Sequence, residues 1–235
     1  MKQLFKKLIG EANIGRLNFF RRKDLRDSWG GTFNGQRFRQ RIFFDLLYAF
    51  PIKAIVETGT FLGTTTALFG ATGLPVYTCE IQTRYFANTR MRFRFNRQNI
   101  HQYRNNSPDF LCQLAVDSAI PKTDTLFYLD AHWEENLPLR EEVEIIFSHW
   151  ENAVVIVDDF CVPDSEYTFD DYGPKKRLDL DYLRPIMEKH QLTAFFPSAN
   201  ASEETGAKRG SVVLCKGKDA QSITDSLQIL RQFEA

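Results

Sequence analysis

The chain has 235 residues, 43% of them hydrophobic, which suits one α/β domain with an appendage and a core large enough to fold without disulfides or structural metal. Its four cysteines (Cys79, Cys112, Cys161 and Cys215) form no C-x-x-C pair, which argues against a zinc site or disulfide framework and fits a reducing cytoplasm; no apolar run approaches the roughly 20 residues that span a bilayer, and no signal peptide is expected. The zero net charge hides an asymmetry, because residues 1–41 carry 11 Lys/Arg against 3 Asp/Glu, a basic arm on an acidic body. Such an arm can fold back over its own body, or meet an acidic partner, a membrane surface or the body of a second copy in a homodimer.

Leu4, Phe5, Leu8 and Ile9 recur at helical spacing among Lys2, Lys6 and Lys7, so residues 2–9 are predicted to form a short amphipathic helix, with weak peripheral membrane contact as one use. The turn-rich stretch 27–35 is expected to be irregular. A helix follows with Phe38, Ile42, Phe43, Leu46 and Leu47 on one face, ending before Pro51. Residues 1–50 are thus a basic, partly helical extension, and 51–235 the main domain.

From Lys53 the pattern alternates. Strands are predicted at Lys53–Glu57, Val76–Glu80, Ile100–Tyr103, Leu126–Leu129 and Val154–Val157, the last two fully apolar as buried parallel strands require. Helices are predicted from Thr64, through an Arg-rich segment to about Asn96, and over Pro108–Val116, Pro138–Trp150 and Leu183–His190. Thr193–Phe196 and Ser211–Cys215 have only a polar loop between them, so they should pair antiparallel.

The turn Glu57-Thr58-Gly59-Thr60-Phe61-Leu62-Gly63 joins the first strand to its helix. Gly59 and Gly63 let backbone approach a ligand, and Thr60 and Thr64 bring hydroxyls. Phe61 breaks the dinucleotide fingerprint, and no Gly-Lys-Ser/Thr follows for a P-loop. A carboxylate at Glu57 would repel a pyrophosphate but attract the ammonium and sulfonium of S-adenosylmethionine. Glu80, ending the second strand, can accept from ribose hydroxyls, and Asn106 and Ser107 after the third strand can reach an adenine edge or cap a helix.

These features, with the terminal hairpin, resemble class I S-adenosylmethionine-dependent methyltransferases over residues 52–216. The resemblance implies a Rossmann-like, mostly parallel seven-stranded sheet with a C-terminal antiparallel hairpin and flanking helices. It also implies cofactor contact by Glu57, Gly59, Thr60, Gly63, Glu80 and Ser107. It looks closest to the branch of macrocin-type sugar and natural-product O-methyltransferases.

Asp130-Ala131-His132-Trp133 follows the fourth strand, and Asp158-Asp159 ends the fifth. Three carboxylates converging beyond strand ends would repel unless a hard cation such as Mg²⁺ joined Asp130, Asp158 and Asp159. Metal-dependent relatives resemble this arrangement, although Ala131-His132-Trp133 departs from their spacing. Asp130 can alternatively touch the cofactor, and His132 is the candidate base or a structural histidine. The loop 162–173, rich in aromatics and acids, can bind a sugar-like acceptor or pack as a surface connection. Arg84, Arg90, Arg92, Arg94 and Arg97 alternate with Phe86, Met91, Phe93 and Phe95, which suggests a partly buried helix rather than a nucleic-acid surface, and no N-P-P-Y/F motif is present. The expected activity is O-methylation of a small sugar-like hydroxyl; an iron-dependent oxygenase-like relative and a non-catalytic partner-binding protein are the alternatives.

Overall fold

The computed structural model describes residues 10–95, 99–132 and 137–233. The predicted helix at 2–9 lies outside the described residues.

The chain opens with α1 (Glu11–Arg21), two 3-10 segments (Lys23–Gly30 and Thr32–Gly35) and α2 (Arg37–Ala49). Strand and helix then alternate: β1 (Ala54–Thr58), α3 (Thr64–Ala71), β2 (Val76–Cys79), α4 (Thr83–Arg92), β3 (Ile100–Tyr103) and α5 (Ser107–Val116). After them come β4 (Thr123–Leu129), α6 (Leu139–His149), β5 (Glu151–Asp158), α7 (Leu180–His190), β6 (Leu192–Pro197), β7 (Ser211–Lys216), α8 (Lys218–Ser226) and β8 (Leu230–Gln232).

One sheet runs in the order β3-β2-β1-β4-β5-β7-β6-β8. The first five strands are parallel, while β7 runs antiparallel to both β5 and β6. The expected hairpin therefore forms, with β7 inserted between β5 and β6. α8 and the short edge strand β8, which pairs antiparallel with β6, extend it. α8 was not predicted, and β8 was not evident because three residues of strand carry too little periodicity to register.

The central strands read as apolar runs because both sheet faces are covered. Val56, Phe127, Leu129, Val155 and Val157 face α5, α6 and α7. Ile55, Leu126, Tyr128, Val154 and Ile156 face the opposite layer, formed by α2, α3 and α8. α2 buries Arg39, Ile42, Phe43 and Leu46, the i, i+3, i+4, i+7 stripe of an amphipathic helix. One member of that stripe is an arginine.

The sheet order reverses between β1 and β4, which places a crevice beyond their carboxyl ends. Both candidate clusters lie at that edge.

Candidate active site

The turn after β1 is held by backbone geometry. Gly59 has φ 90°, and a Cβ there would lie 2.2 Å from the Asp130 carbonyl oxygen. Gly63 has φ 70° and precedes α3; a Cβ there would meet the Phe93 ring at 2.7 Å. Only glycine fits either place. The direct abutment of Gly59 on Asp130 joins the turn to the second cluster.

Two buried carboxyls flank this turn, each satisfied by uncharged donors. Glu57 accepts at Oε2 from the hydroxyls of Thr66 and Thr78, both at 2.6 Å. Burial pushes its carboxyl up to about 7. Glu80 accepts from the backbone N–H groups of Phe61 at 2.8 Å and Gln82 at 2.7 Å, and burial raises it too. The Thr60 hydroxyl is turned inward, 2.5 Å from Thr78 Oγ1 and 2.9 Å from the Cys79 carbonyl oxygen. Thr66 and Thr78, which the sequence reading did not single out, thus orient Glu57.

Asn106, rather than Ser107, caps α5: its Oδ1 accepts from the Asp109 N–H at 2.9 Å. Ser107 is buried with its hydroxyl beside Glu142, a fully buried acid on α6 that also neighbours the Thr58 hydroxyl. Burial pushes Glu142 up to about 7. The sequence reading missed this residue, although a glutamate one position from Val143 on the inward face of α6 was a visible signal.

The acid cluster is built differently. Asp130, His132 and Asp159 bring ligand-type atoms within 4.8 Å of one another. Asp158, expected as the third carboxylate of Asp130, Asp158 and Asp159, does not join them. Strand neighbours point to opposite faces, and Asp158 turns into the α2 layer. There it pairs with Arg39, accepts from the Tyr128 hydroxyl, and accepts the Asp159 N–H at 2.7 Å. His132 takes its place beside the other two acids. Asp159 itself has φ 54°, a left-handed conformation pinned through its N–H by Asp158.

Arg209, just before β7, bridges Asp159 (2.6 Å) to Asp170, which also accepts from the Tyr172 hydroxyl. The backbone of Arg209 is clamped by both ends of the Gln36 amide, at 2.8 and 2.9 Å, and Arg39 donates to its carbonyl and to that of Gly210 (2.9 Å for Gly210). Residues 36–39 therefore help build the site. Arg39 was visible in sequence as a cation on an apolar stripe, and Asp170 as one of the acids of the 162–173 loop; Arg209 left no comparable signal.

Among the described residues Asp158, Asp159 and Asp170 pair with Arg39 and Arg209, and Asp130 has no ion pair. Burial, then Asp159, pushes Asp130 well above the ordinary carboxylate range. Burial lowers the His132 pKa and keeps the imidazole neutral. Among the described residues both its ring nitrogens lack a hydrogen-bond partner, although the side chain is 3% exposed. A buried, unpartnered imidazole beside two carboxylates is a donor set that fits a cation.

No protein-family model matches the sequence, and no curated protein matches it. Solved structures do. The O-methyltransferase TomG from Streptomyces achromogenes, involved in tomaymycin synthesis and solved in complex with SAM, is 17% identical, with 91% of this chain and 95% of that chain covered and a TM-score of 0.58. A putative caffeoyl-CoA O-methyltransferase from Staphylococcus aureus is 14% identical, covering 77% of this chain and 84% of that one, with a TM-score of 0.55. An O-methyltransferase from Bacillus cereus in complex with SAH is 18% identical over 75% of this chain and 80% of its own, with a TM-score of 0.54. At these identities the likeness concerns architecture, and with the strand order it shows that this chain has the class I S-adenosylmethionine-dependent methyltransferase fold.

Proposed function

We propose that the chain is an S-adenosylmethionine-dependent O-methyltransferase acting on a hydroxyl of a sugar or similar small polyol, with a divalent cation at the acid cluster. The observation that carries the reading is the abutment of Gly59 on Asp130, which sets a donor-type turn against a potential acceptor cluster. In this reading residues 51–235 form the methyltransferase domain and 1–50 an extension that contributes Gln36 and Arg39.

Gly59, Thr60 and Gly63 shape the backbone around the donor's amino-acid end, and Glu57 lies close by as the negative counterpart of its ammonium and sulfonium. Glu80 receives the ribose hydroxyls, and Asn106 and Ser107 lie towards the adenine. Asp130, His132 and Asp159 would hold the cation, which when bound lowers the pKa of an acceptor hydroxyl. Mg²⁺ is the first ion to test, with Mn²⁺ beside it because an imidazole in the set favours softer ions. His132, kept neutral by burial, has the free lone pair needed either to accept the acceptor's proton or to ligate. Arg209 and Asp170 form the wall from which the 162–173 loop would cover the acceptor. The rest of catalysis is alignment of oxygen, methyl carbon and sulfur.

Calorimetry with S-adenosylhomocysteine tests the cofactor assignment: saturable binding is expected, and none at about millimolar ligand would overturn it. Loss of methyl transfer in chelator, restored by Mg²⁺ or Mn²⁺, tests the cation. His132→Ala separates the two roles of the imidazole, since a base variant keeps its bound metal and a ligand variant does not. The His132 cluster also favours one second reading, an oxygenase-like enzyme using iron. Turnover dependent on Fe²⁺ and oxygen and indifferent to methyl donor would establish that instead.

A further inference from the structure

α1 has two dissimilar faces. Its inner face is fixed to α4: a Cβ on Gly15 would lie 2.1 Å from the Arg84 carbonyl oxygen, and the Asn88 side-chain amide donates to the Gly15 carbonyl at 3.2 Å. Phe19 and Arg22, on the same side, line a cavity of about 280 Å³ with Leu25, Asn88 and Arg92. The outer face carries Arg16, Leu17, Phe20 and Arg21, all exposed, with Leu17 at 39% and Phe20 at 54%. Trp29, in the 3-10 segment that follows, is 67% exposed. A leucine and a phenylalanine one turn apart and open to solvent have no role in the core.

We propose that this face docks on an anionic lipid bilayer. Leu17 and Phe20 form an apolar strip flanked by Arg16 and Arg21, whose stems can lie along the apolar layer while the guanidiniums meet lipid phosphates. The sequence just before α1 repeats the chemistry, with Lys2, Lys6 and Lys7 among Leu4, Phe5, Leu8 and Ile9. Arg16 and Arg21, both exposed on this face of α1, supply the charge complement. No helix among the described residues is long and apolar enough to cross a membrane, so α1 would lie in the plane of the interface.

The test is sedimentation of the full chain with vesicles of equimolar phosphatidylcholine and phosphatidylglycerol, against vesicles of phosphatidylcholine alone, at about 0.1 M NaCl. Binding is expected on the anionic vesicles, at least roughly tenfold weaker without the anionic lipid or at about 0.5 M salt. Leu17→Asp/Phe20→Asp should weaken it roughly tenfold or more while leaving the melting temperature unchanged, since both side chains are exposed. The idea fails if the wild-type chain ignores anionic vesicles or the double variant binds them equally well. It fails too if the double variant melts at a different temperature, which would mean the face is covered within the protein. Binding of a single-stranded RNA in place of vesicles would also overturn it.

Discussion

The two ends of the crevice solve the same problem, buried carboxyls, in opposite ways. Beside the glycine turn, Glu57 and Glu80 are satisfied by hydroxyls and backbone N–H groups from positions at most 21 residues away. Burial raises both carboxyls, Glu57 to about 7, and the neutral donors offset part of that rise. Beyond β4 and β5 the acids are answered by full charges that arrive from far along the chain: Arg39 reaches Asp158 across 119 positions, and Arg209 reaches Asp159 across 50. The first arrangement can be assembled from one β-α-β segment. The second exists only when the α2 layer and the β6–β7 connection have both docked. Among the described residues Asp130 is left without an ion pair at the second end, and the proposed function sets the ion there and the donor at the first.

The sharpest way to break the contrast is to remove a charge partner. Arg39→Met would strand the Asp158 carboxylate in the core, and we expect a loss of about 3–5 kcal/mol in chemical denaturation. Adding Asp158→Asn should recover part of it, because the uncompensated charge is then gone. If Arg39→Met cost no more than a surface substitution, the buried pair would not be holding this end together.

Gly59→Ala attacks the junction between the two ends. Its Cβ would collide with the Asp130 carbonyl at a φ of 90°, so about 1–3 kcal/mol of stability should go, together with S-adenosylhomocysteine binding in calorimetry.

Burial without a charged partner predicts a pH signature, best read at Glu142, whose carboxylate oxygens have no hydrogen-bond partner among the described residues. Its carboxyl titrates near 7 in the folded chain against 4.5 for the ordinary side chain. A raised folded pKa gives stability that is full below about 4.5 and lost as pH rises through about 7. Glu142→Gln removes that loss. Its stability relative to wild type should therefore improve between pH 5 and pH 8, by up to about 3 kcal/mol. Parallel stability–pH curves for the two proteins would show that Glu142 ionises freely.

Asp159→Asn should have the smallest effect on folding, within about 1 kcal/mol, since its pair with Arg209 is partly solvated. Its effect on ion affinity, followed by Mn²⁺ titration, should be large, on the order of 10–100-fold. Asp158→Asn should show the converse, with altered stability and nearly unchanged affinity. If Asp158→Asn lost the ion and Asp159→Asn kept it, the assignment of Asp159 over Asp158 would be reversed.

What the sequence determined is local. The apolar runs of β4 and β5, the glycines of the β1 turn, the acid ending β2 and the helix-free link between β6 and β7 each follow from a few neighbouring residues. Together they were enough for seven of the eight strands and for the turn after β1, though not for the threonines that orient Glu57. Tertiary structure decided the other end. Asp158 and Asp159 read as equivalent neighbours, yet the alternation of side chains along β5 sends one into the α2 layer. There Arg39 and Tyr128 claim it, and the other is left to meet His132. Pairing between strand ends and distant arginines is a long-range electrostatic choice. No window of sequence contains both partners, so only the folded chain could make it.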